Sequence, residues 1–389
     1  MQRNEKLITF LSFGMYFITG AACFIVGSSL THLVKLYGMD MSVIVLMGSA
    51  YALGRVLTVG FTGKMVETKG PKAVLTAGIL LVMAYLVGLA AIHNFYVGMV
   101  CAFLGGVGMG AQDTVCPLLL SMSCKDNYAG ALSAGQAFFG VGSFATPFLI
   151  GIMLTVDVPF YYSYYALAIF AVAMLVCVPF VKMEGQGAAE EGGEEQVKPL
   201  YAKKQWIAYG GILIACAAYC AVTNAVGLYT SSFAESLGVS AANAAFMLTI
   251  YNVGCIAGSV AFVVILKKIK EQTVLIGNCL LAFVAIAVAL VVNNVVVYFV
   301  CFAIAGFFLG VLFSVILAIA TRIGYKRISV TSSYVATAGG ASDILTPVIT
   351  GAMVGALGIG CAYYYVLAML VITALFGIIV KVNTSEKEI

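Results

Sequence analysis

The chain is short of the residues that enzyme chemistry usually requires. Only 9% of its 389 residues are charged, and it carries two histidines, His32 and His93, and a single tryptophan. No GxxxxGK(S/T) loop occurs, so the chain does not power itself by cradling nucleotide phosphates in that way. Its eleven cysteines are scattered without a C-x-x-C pair, and with so little histidine no metal site is readable. In an apolar helix such cysteines behave as small apolar residues. The absence of any clustered His, Cys or carboxylate set disfavours a membrane-embedded enzyme, so no catalytic residue and no cofactor is expected.

What the chain does have is apolar sequence. Hydrophobic residues make up 62% of it and its mean hydropathy is +1.07, which a water-soluble domain could hold only by exposing very large apolar patches. At about 20 apolar residues per helical span, spans are expected near 7–34, 42–64, 73–92, 95–121, 128–155 and 160–181. The second series falls near 205–234, 242–266, 272–292, 295–321, 330–357 and 361–381. The expected fold class is therefore an all-α membrane protein of twelve transmembrane helices. The first apolar segment is too long for a signal-peptide core and is expected to remain as a span.

Charge sets the orientation. Of twenty Lys and Arg, Lys35 falls in a loop on one side, Arg55 lies inside a span, and the other eighteen lie on the opposite side. Short loops rich in Lys and Arg stay inside the cell, so both termini are expected to be cytoplasmic in a multi-pass cell-membrane protein. The net charge of +4 reports this topology and gives no support to nucleic-acid binding. The longest break in apolar sequence, Lys182 to Lys204, contains GQGAAEEGGEEQ and cannot build a core. It reads as a cytoplasmic linker between an N-terminal half, 1–181, and a C-terminal half, 205–389.

The halves are copies. Gly140 to Met153, GVGSFATPFLIGIM, is repeated by Gly340 to Met353, GASDILTPVITGAM. At the same offset of 200, Tyr51 matches Tyr251, Gly54 matches Gly254, Cys101 matches Cys301, and Gly106 and Gly110 match Gly306 and Gly310. A spacing held from Tyr51 to Ala168 gives each helix of one half a counterpart in the other, the sign of paired half-domains and not of a solenoid.

Between the second and third spans Gly63 to Lys72 reads GKMVETKGPK. This resembles the signature G-x-x-x-D-(R/K)-x-G-(R/K)-(R/K) of the major facilitator superfamily. Gly63, Gly70 and Lys72 are kept, Glu67 stands for the Asp, and Thr68 and Pro71 depart from it. With twelve spans and a six-plus-six repeat, the resemblance covers the whole chain. It implies two pseudo-symmetric six-helix bundles that rock around a substrate site near the bilayer midplane, a monomer, and a gating role for Gly63, Glu67, Gly70 and Lys72. Duplicated halves do allow two near-equivalent closures. Gly63 and Gly70 suit a tight turn with close helix approach, and Glu67 suits a helix N-terminus of the opposite half.

The fifth span, with Gly142 and Thr146-Pro147, resembles the family's G-x-x-x-G-P pattern, which is linked to exchangers although symporters carry similar glycines. Pro147 and Pro347 each remove one helical hydrogen bond and permit bends. The run GGVGMGAQDTVCP from Gly105 is similar to the G-x-G-x-x-D run of sugar-permease-like branches such as the fucose permease group, with Cys116 where those have Asn and Ser314 where the tenth span would have Pro.

Ionisable groups inside a membrane are expensive and default to function. Arg55, Asp113 and Asp343 are the candidates well inside spans, with Arg55 and Asp113 each about 12 Å from the cytoplasmic end and so placed to pair. Asp343 stands where the repeat has Ser143, so duplication did not require a carboxylate there, and a coupling role is expected. Gln112, Gln136, Asn224 and Asn252, with Tyr16, Tyr51, Tyr219, Tyr229 and Tyr251, are expected to line a cavity. The amides would be unsatisfied against lipid. The function expected is secondary active transport of a small polar solute, sugar-like or an organic anion, coupled to protons or to a counter-substrate; the alternative is efflux of drugs or amphipathic metabolites.

Overall fold

A computed structural model describes residues 3–124, 128–182, 203–266, 268–323 and 328–384. Among them there is no strand. The first half contains α1 (Arg3–Ser28), α2 (Leu30–Tyr37), α3 (Met41–Ile44), α4 (Leu46–Lys69), α5 (Pro71–Ala91), α6 (Phe95–Ser123), α7 (Tyr128–Thr155) and α8 (Tyr162–Cys177), with a 3-10 turn at Val178–Phe180. The second contains α9 (Lys203–Ser236), α10 (Ala241–Ile265), α11 (Glu271–Val292), α12 (Val295–Leu309), α13 (Leu312–Ile323), α14 (Ile328–Leu357) and α15 (Cys361–Asn383). Twelve segments among the described residues are long and apolar enough to cross a membrane, and the chain is an all-α, multi-pass membrane protein. It divides into two compact units, Met1–Gly193 with Ser240–Phe246, and Glu194–Val239 with Met247–Ile389. The central part of the segment read as a linker lies outside the described residues.

Local chemistry explains where the helices differ from the expected spans. The first span was expected to run to residue 34, but α1 stops at Ser28 and α2 is separate. Ser28 and Ser29 turn their hydroxyls back onto the carbonyls of Phe24 and Ile25 at 2.7 Å each, offering the backbone an alternative partner at the break. The tenth span is likewise divided, around Gly310 and Val311, into α12 and α13.

The turn expected at Gly63 to Lys72 is shorter than its motif suggests. The second-span helix continues to Lys69, Gly70 alone makes the turn at φ +81°, and Pro71 opens α5, where its fixed φ and missing N–H cost nothing. Gly63 therefore sits inside α4, exposed, with open space around the position a Cβ would take. The close approach expected of Gly63 is absent, because nothing between Met65 and Lys69 stops the helix. Gly70 is the glycine whose backbone an L side chain would strain.

The repeat is visible in backbone contacts. In the first half a Cβ at Gly54 would strike the Phe103 carbonyl, and one at Gly106 the Tyr51 carbonyl; one at Gly110 would come within 2.8 Å of the Arg55 carbonyl. In the second half Gly254, Gly306 and Gly310 face the carbonyls of Ala303, Tyr251 and Cys255 in the same way. Small residues let helices pack at backbone distance in a membrane, where dispersion must replace the hydrophobic effect. Each half also starts its fourth helix with the same cap. Asn94 accepts from the N–H groups of Tyr96 and Val97 at 3.0 and 3.3 Å, and Asn294 from those of Val296 and Val297 at 2.9 and 3.4 Å.

Candidate functional site

The α4–α6 crossing positions the first cluster. Because Gly106 and Gly110 let α6 lie against the backbone of α4, the side chains one turn onward meet across the gap: Arg55 Nε donates to Asp113 Oδ2 at 2.7 Å. The two side chains are 37% and 29% exposed. A half-exposed ion pair at least nine residues from either helix end, about 13 Å, is not tolerated against lipid, so that face must look onto water. Partial exposure also keeps the pair openable, since its members have not paid the whole desolvation cost of a buried pair. Tyr51 lies one turn before Arg55 and is close enough to both charges and to the exposed Cys23 to feel them electrostatically.

Neighbouring candidates divide by helix face. Tyr51 is buried, its hydroxyl 2.9 Å from Met109 Sδ and its ring 5.3 Å from that of Tyr85. Gln112, adjacent to Asp113 in sequence, is 2% exposed and packs against Gly78 of α5; neither of its amide atoms has a hydrogen-bond partner among the described residues. One residue is 100° around a helix, so Gln112 turns into the bundle while Asp113 meets Arg55. Gln136 lies on α7 and is exposed.

The second cluster joins α9 and α14. Asn224 Nδ2 donates to Asp343 Oδ1 at 3.3 Å, and the buried Asn224 Oδ1 has no partner among the described residues. Asn224 and Asp343 lie at least twelve residues, about 18 Å, from either end of their helices. Tyr251 and Asn252 are buried at 3% and 4% exposure on α10. Two tyrosines expected to line a cavity are instead spent on packing. Tyr219 is 6% exposed and donates to the Leu309 carbonyl at 3.0 Å, and Tyr229 is 0% exposed and donates to Thr350 Oγ1 at 3.0 Å. Tyr16 is buried against Gly135. A tyrosine among helices finds a hydroxyl or carbonyl before it finds a cavity, because an unpaired O–H there is costly.

Pro147 and Pro347 lie inside α7 and α14, which run through them. A proline offers no N–H to the carbonyl four residues back, here Ser143 and Asp343. Sequence reading missed that Pro117, inside α6, stands in the same relation to Asp113. The signal was available as D-x-x-x-P at both 113–117 and 343–347. Each intramembrane aspartate thus has a main-chain carbonyl without its helical donor beside a carboxylate, a combination that adds acceptor capacity at that depth. Also unforeseen was the ion pair of Arg322 with Glu271 at 3.0 Å, at the ends of α13 and α11. In the signature, Glu67 is exposed in the last turns of α4, whereas Lys72 reaches main-chain carbonyls beyond α8. No set of three His, Cys, Asp or Glu among the described residues is arranged to hold a metal.

Twelve spans, paired six-helix halves and part-exposed polar pairs in the middle of helices describe a membrane transporter. The Major Facilitator Superfamily profile matches residues 12–323 and 211–388, and the chain belongs to that family. Among relatives it is 22% identical to the uncharacterized MFS-type transporter YfkL of Bacillus subtilis, over 90% of this chain and 89% of that protein. It is also 22% identical to protein TsgA of Escherichia coli, over 90% and 88%. Its structure is similar to a partially occluded inward-open conformation of the xylose transporter XylE from E. coli, at TM-score 0.77 and 13% identity over 96% and 97% of the two chains. A D-xylose-proton symporter superposes at TM-score 0.74 and 14% identity with the same coverage. At these identities the solved structures speak to the fold, which is that of the superfamily.

Proposed function

We propose that the chain carries a small polar solute, sugar-like or an organic anion, by alternating access, coupled to protons or to a counter-substrate. In this reading the halves 1–181 and 205–389 are the moving bodies, 182–204 is a linker, and both termini face the cytoplasm as the Lys and Arg asymmetry requires. The supporting observation is the pair of polar clusters at mid-helix depth, Arg55 with Asp113 and Asn224 with Asp343. A charged pair that keeps access to water can exchange its internal bond for bonds to a hydroxyl-rich or anionic ligand. The guanidinium offers further planar donors for that purpose. Asn224 Oδ1, an acceptor without a partner among the described residues, calls for a donor such as a substrate hydroxyl. Sugar-proton symport by the structural neighbour agrees with this chemistry, while the residues named carry the reading.

In this scheme Asp343 binds the coupling proton. Its repeat counterpart is Ser143, so the carboxylate was acquired or kept by one half alone. The test has two arms. Thermal unfolding of the purified protein, screened with sugars, carboxylates, amino acids and drugs, should show a rise with one of the first two classes, since a ligand that binds only the folded state stabilises it. Asp343→Asn in vesicles should lose pH-gradient-driven uptake and retain substrate exchange. Stabilisation by drugs alone would transfer the reading to efflux, and wild-type behaviour in both assays would remove Asp343 from the mechanism.

A further inference from the structure

The lysine that closes the signature motif is engaged within its own half. Lys72, in the first turn of α5, donates from Nζ to the carbonyls of Pro179 and Val181 at 3.1 and 3.3 Å. These carbonyls belong to the 3-10 turn that ends the sixth span and to the residue after it. The last carbonyls of a helix lack intrahelical donors, and a cation there also meets the negative end of the helix dipole. One residue further, Asn4 of α1 grips Lys182 on both sides of its main chain. Asn4 Nδ2 donates to the Lys182 carbonyl at 3.0 Å, and the Lys182 N–H donates to Asn4 Oδ1 at 2.9 Å. A carboxamide presents the same donor and acceptor as a peptide group, so this is a two-bond rung of the kind that pairs strands. Four hydrogen bonds from α5 and α1 thus hold residues 179–182 as the chain leaves the first half.

The second half makes the corresponding tie with the lysine on the other helix. Lys381, near the end of α15, donates to Thr273 Oγ1 in the first turn of α11 at 3.3 Å. The repeat position of Lys72 is Gln272, 3% exposed, and that of Lys381 is Val181. The bridge between the start of the third helix and the end of the sixth recurs in both halves, while the residue that makes it does not. A requirement for the bridge explains that recurrence, and a requirement for a cation at one motif position does not.

We propose that Lys72 and Asn4 form a clamp that fixes where the connection between the halves begins, and that this, and not gating, is the work of the motif lysine. Release of the clamp would add residues 179–182 to the connection, lengthening its reach by up to about 13 Å at full extension. The clamp engages the carbonyl of the bond that trypsin would cut after Lys182, so limited proteolysis of the purified full-length protein reads it directly. Asn4→Ala and Lys72→Met are each expected to speed cleavage at Lys182 about fivefold, the combined worth of the two solvent-accessible hydrogen bonds that each removes, with Lys72→Arg restoring the wild-type rate and Glu67→Gln leaving it unchanged. Wild-type cleavage in Asn4→Ala overturns the clamp. Wild-type cleavage in Lys72→Met, with the sidedness of cysteine labelling shifted, returns Lys72 to the gate. If Lys72→Met yields no folded protein, Asn4→Ala decides the clamp and Lys72→Gln replaces it for the labelling comparison.

Discussion

The two halves share a backbone and not a chemistry. At an offset of 200, Gly54, Gly106 and Gly110 and their counterparts Gly254, Gly306 and Gly310 meet the carbonyls of matching residues. Yet the partners of the first polar pair are lost in the copy, where Arg55 becomes Cys255, Asp113 becomes Phe313 and Gln112 becomes Leu312. Conversely, Asn224 and Asp343 answer to Phe24 and Ser143 in the first half. One half places its polar pair across its second and fourth helices, the other across its first and fifth. Duplication therefore preserves what packing needs, and the charge-bearing positions are free to diverge because only one copy of each is required.

The largest effect should come from the shared part. A Cβ at Gly106 or Gly306 meets a backbone carbonyl, which cannot move aside as a side-chain tip can. Gly106→Ala and Gly306→Ala are each expected to cost about 3 kcal/mol or more through overpacking, read as loss of the monodisperse peak on gel filtration. Gly63→Ala, in open space inside a helix, is expected to be neutral or to gain up to about 1 kcal/mol from helix propensity. Unequal losses at Gly106 and Gly306 would show that the halves are not equivalent even in packing.

The unshared part comes next. Arg55→Ala leaves the Asp113 carboxylate without its 2.7 Å partner, at a cost of about 2 kcal/mol once the pair's partial exposure is discounted. Arg55→Gln with Asp113→Asn should recover folded yield without recovering substrate binding. Cys255→Ala, the same position in the copy, should leave both unchanged. Normal yield in Arg55→Ala would mean the pair holds nothing together, and normal transport as well would remove it from the site.

Much of this architecture was legible because it depends on run length, period and depth. Spans follow from apolar length, and the Arg55–Asp113 pair follows from equal depth on two helices that run the same way. What was not legible depends on rotation about a helix axis and on ends that meet across a hundred residues. Nothing in the run QD at 112–113 tells which side chain turns into the bundle, and Lys72 finds its acceptors at Pro179 and Val181, where the sequence shows only an apolar tail. The signature also leaves open which of its glycines turns. Gly70 does because Pro71 follows it and can begin a helix, whereas no breaker follows Gly63.

A smaller difference separates the hydroxyl seams. In the second half Tyr229 and Thr350 join α9 to α14 at 3.0 Å, while their counterparts Ser29 and Ile150 do not share a bond of that type; Ser29 pairs instead with Tyr164 at 2.6 Å. Tyr229→Phe should cost about 1 kcal/mol, and Thr350→Val combined with it should add little, as expected when both partners of one bond are removed. Additive losses in that double-mutant cycle would assign the two hydroxyls to separate partners.

The smallest effect distinguishes His32 from its counterpart in the second half. His32 lies on α2, outside the spans, with its ring 5.3 Å from that of Phe160. Burial, and secondarily the nearby Lys35, hold its imidazole below the ordinary value of 6.5. The sign follows from linkage: below pH 6.5 the unfolded chain takes up a proton that the folded site resists. The stability held by neutral His32 is thus fully present above pH 6.5 and is lost as the pH falls toward the lowered folded value. The counterpart in the second half is Ser232, which does not titrate, so this sensitivity belongs to the first half alone. His32→Phe keeps a ring against Phe160 and removes the proton site. Between pH 7.5 and about pH 5.5, across the ordinary imidazole range, the thermal midpoint of the wild-type protein should fall relative to that of the variant. Parallel curves for the two proteins would mean that His32 titrates alike in the folded and unfolded chain, and that acid does not tell the halves apart at this position.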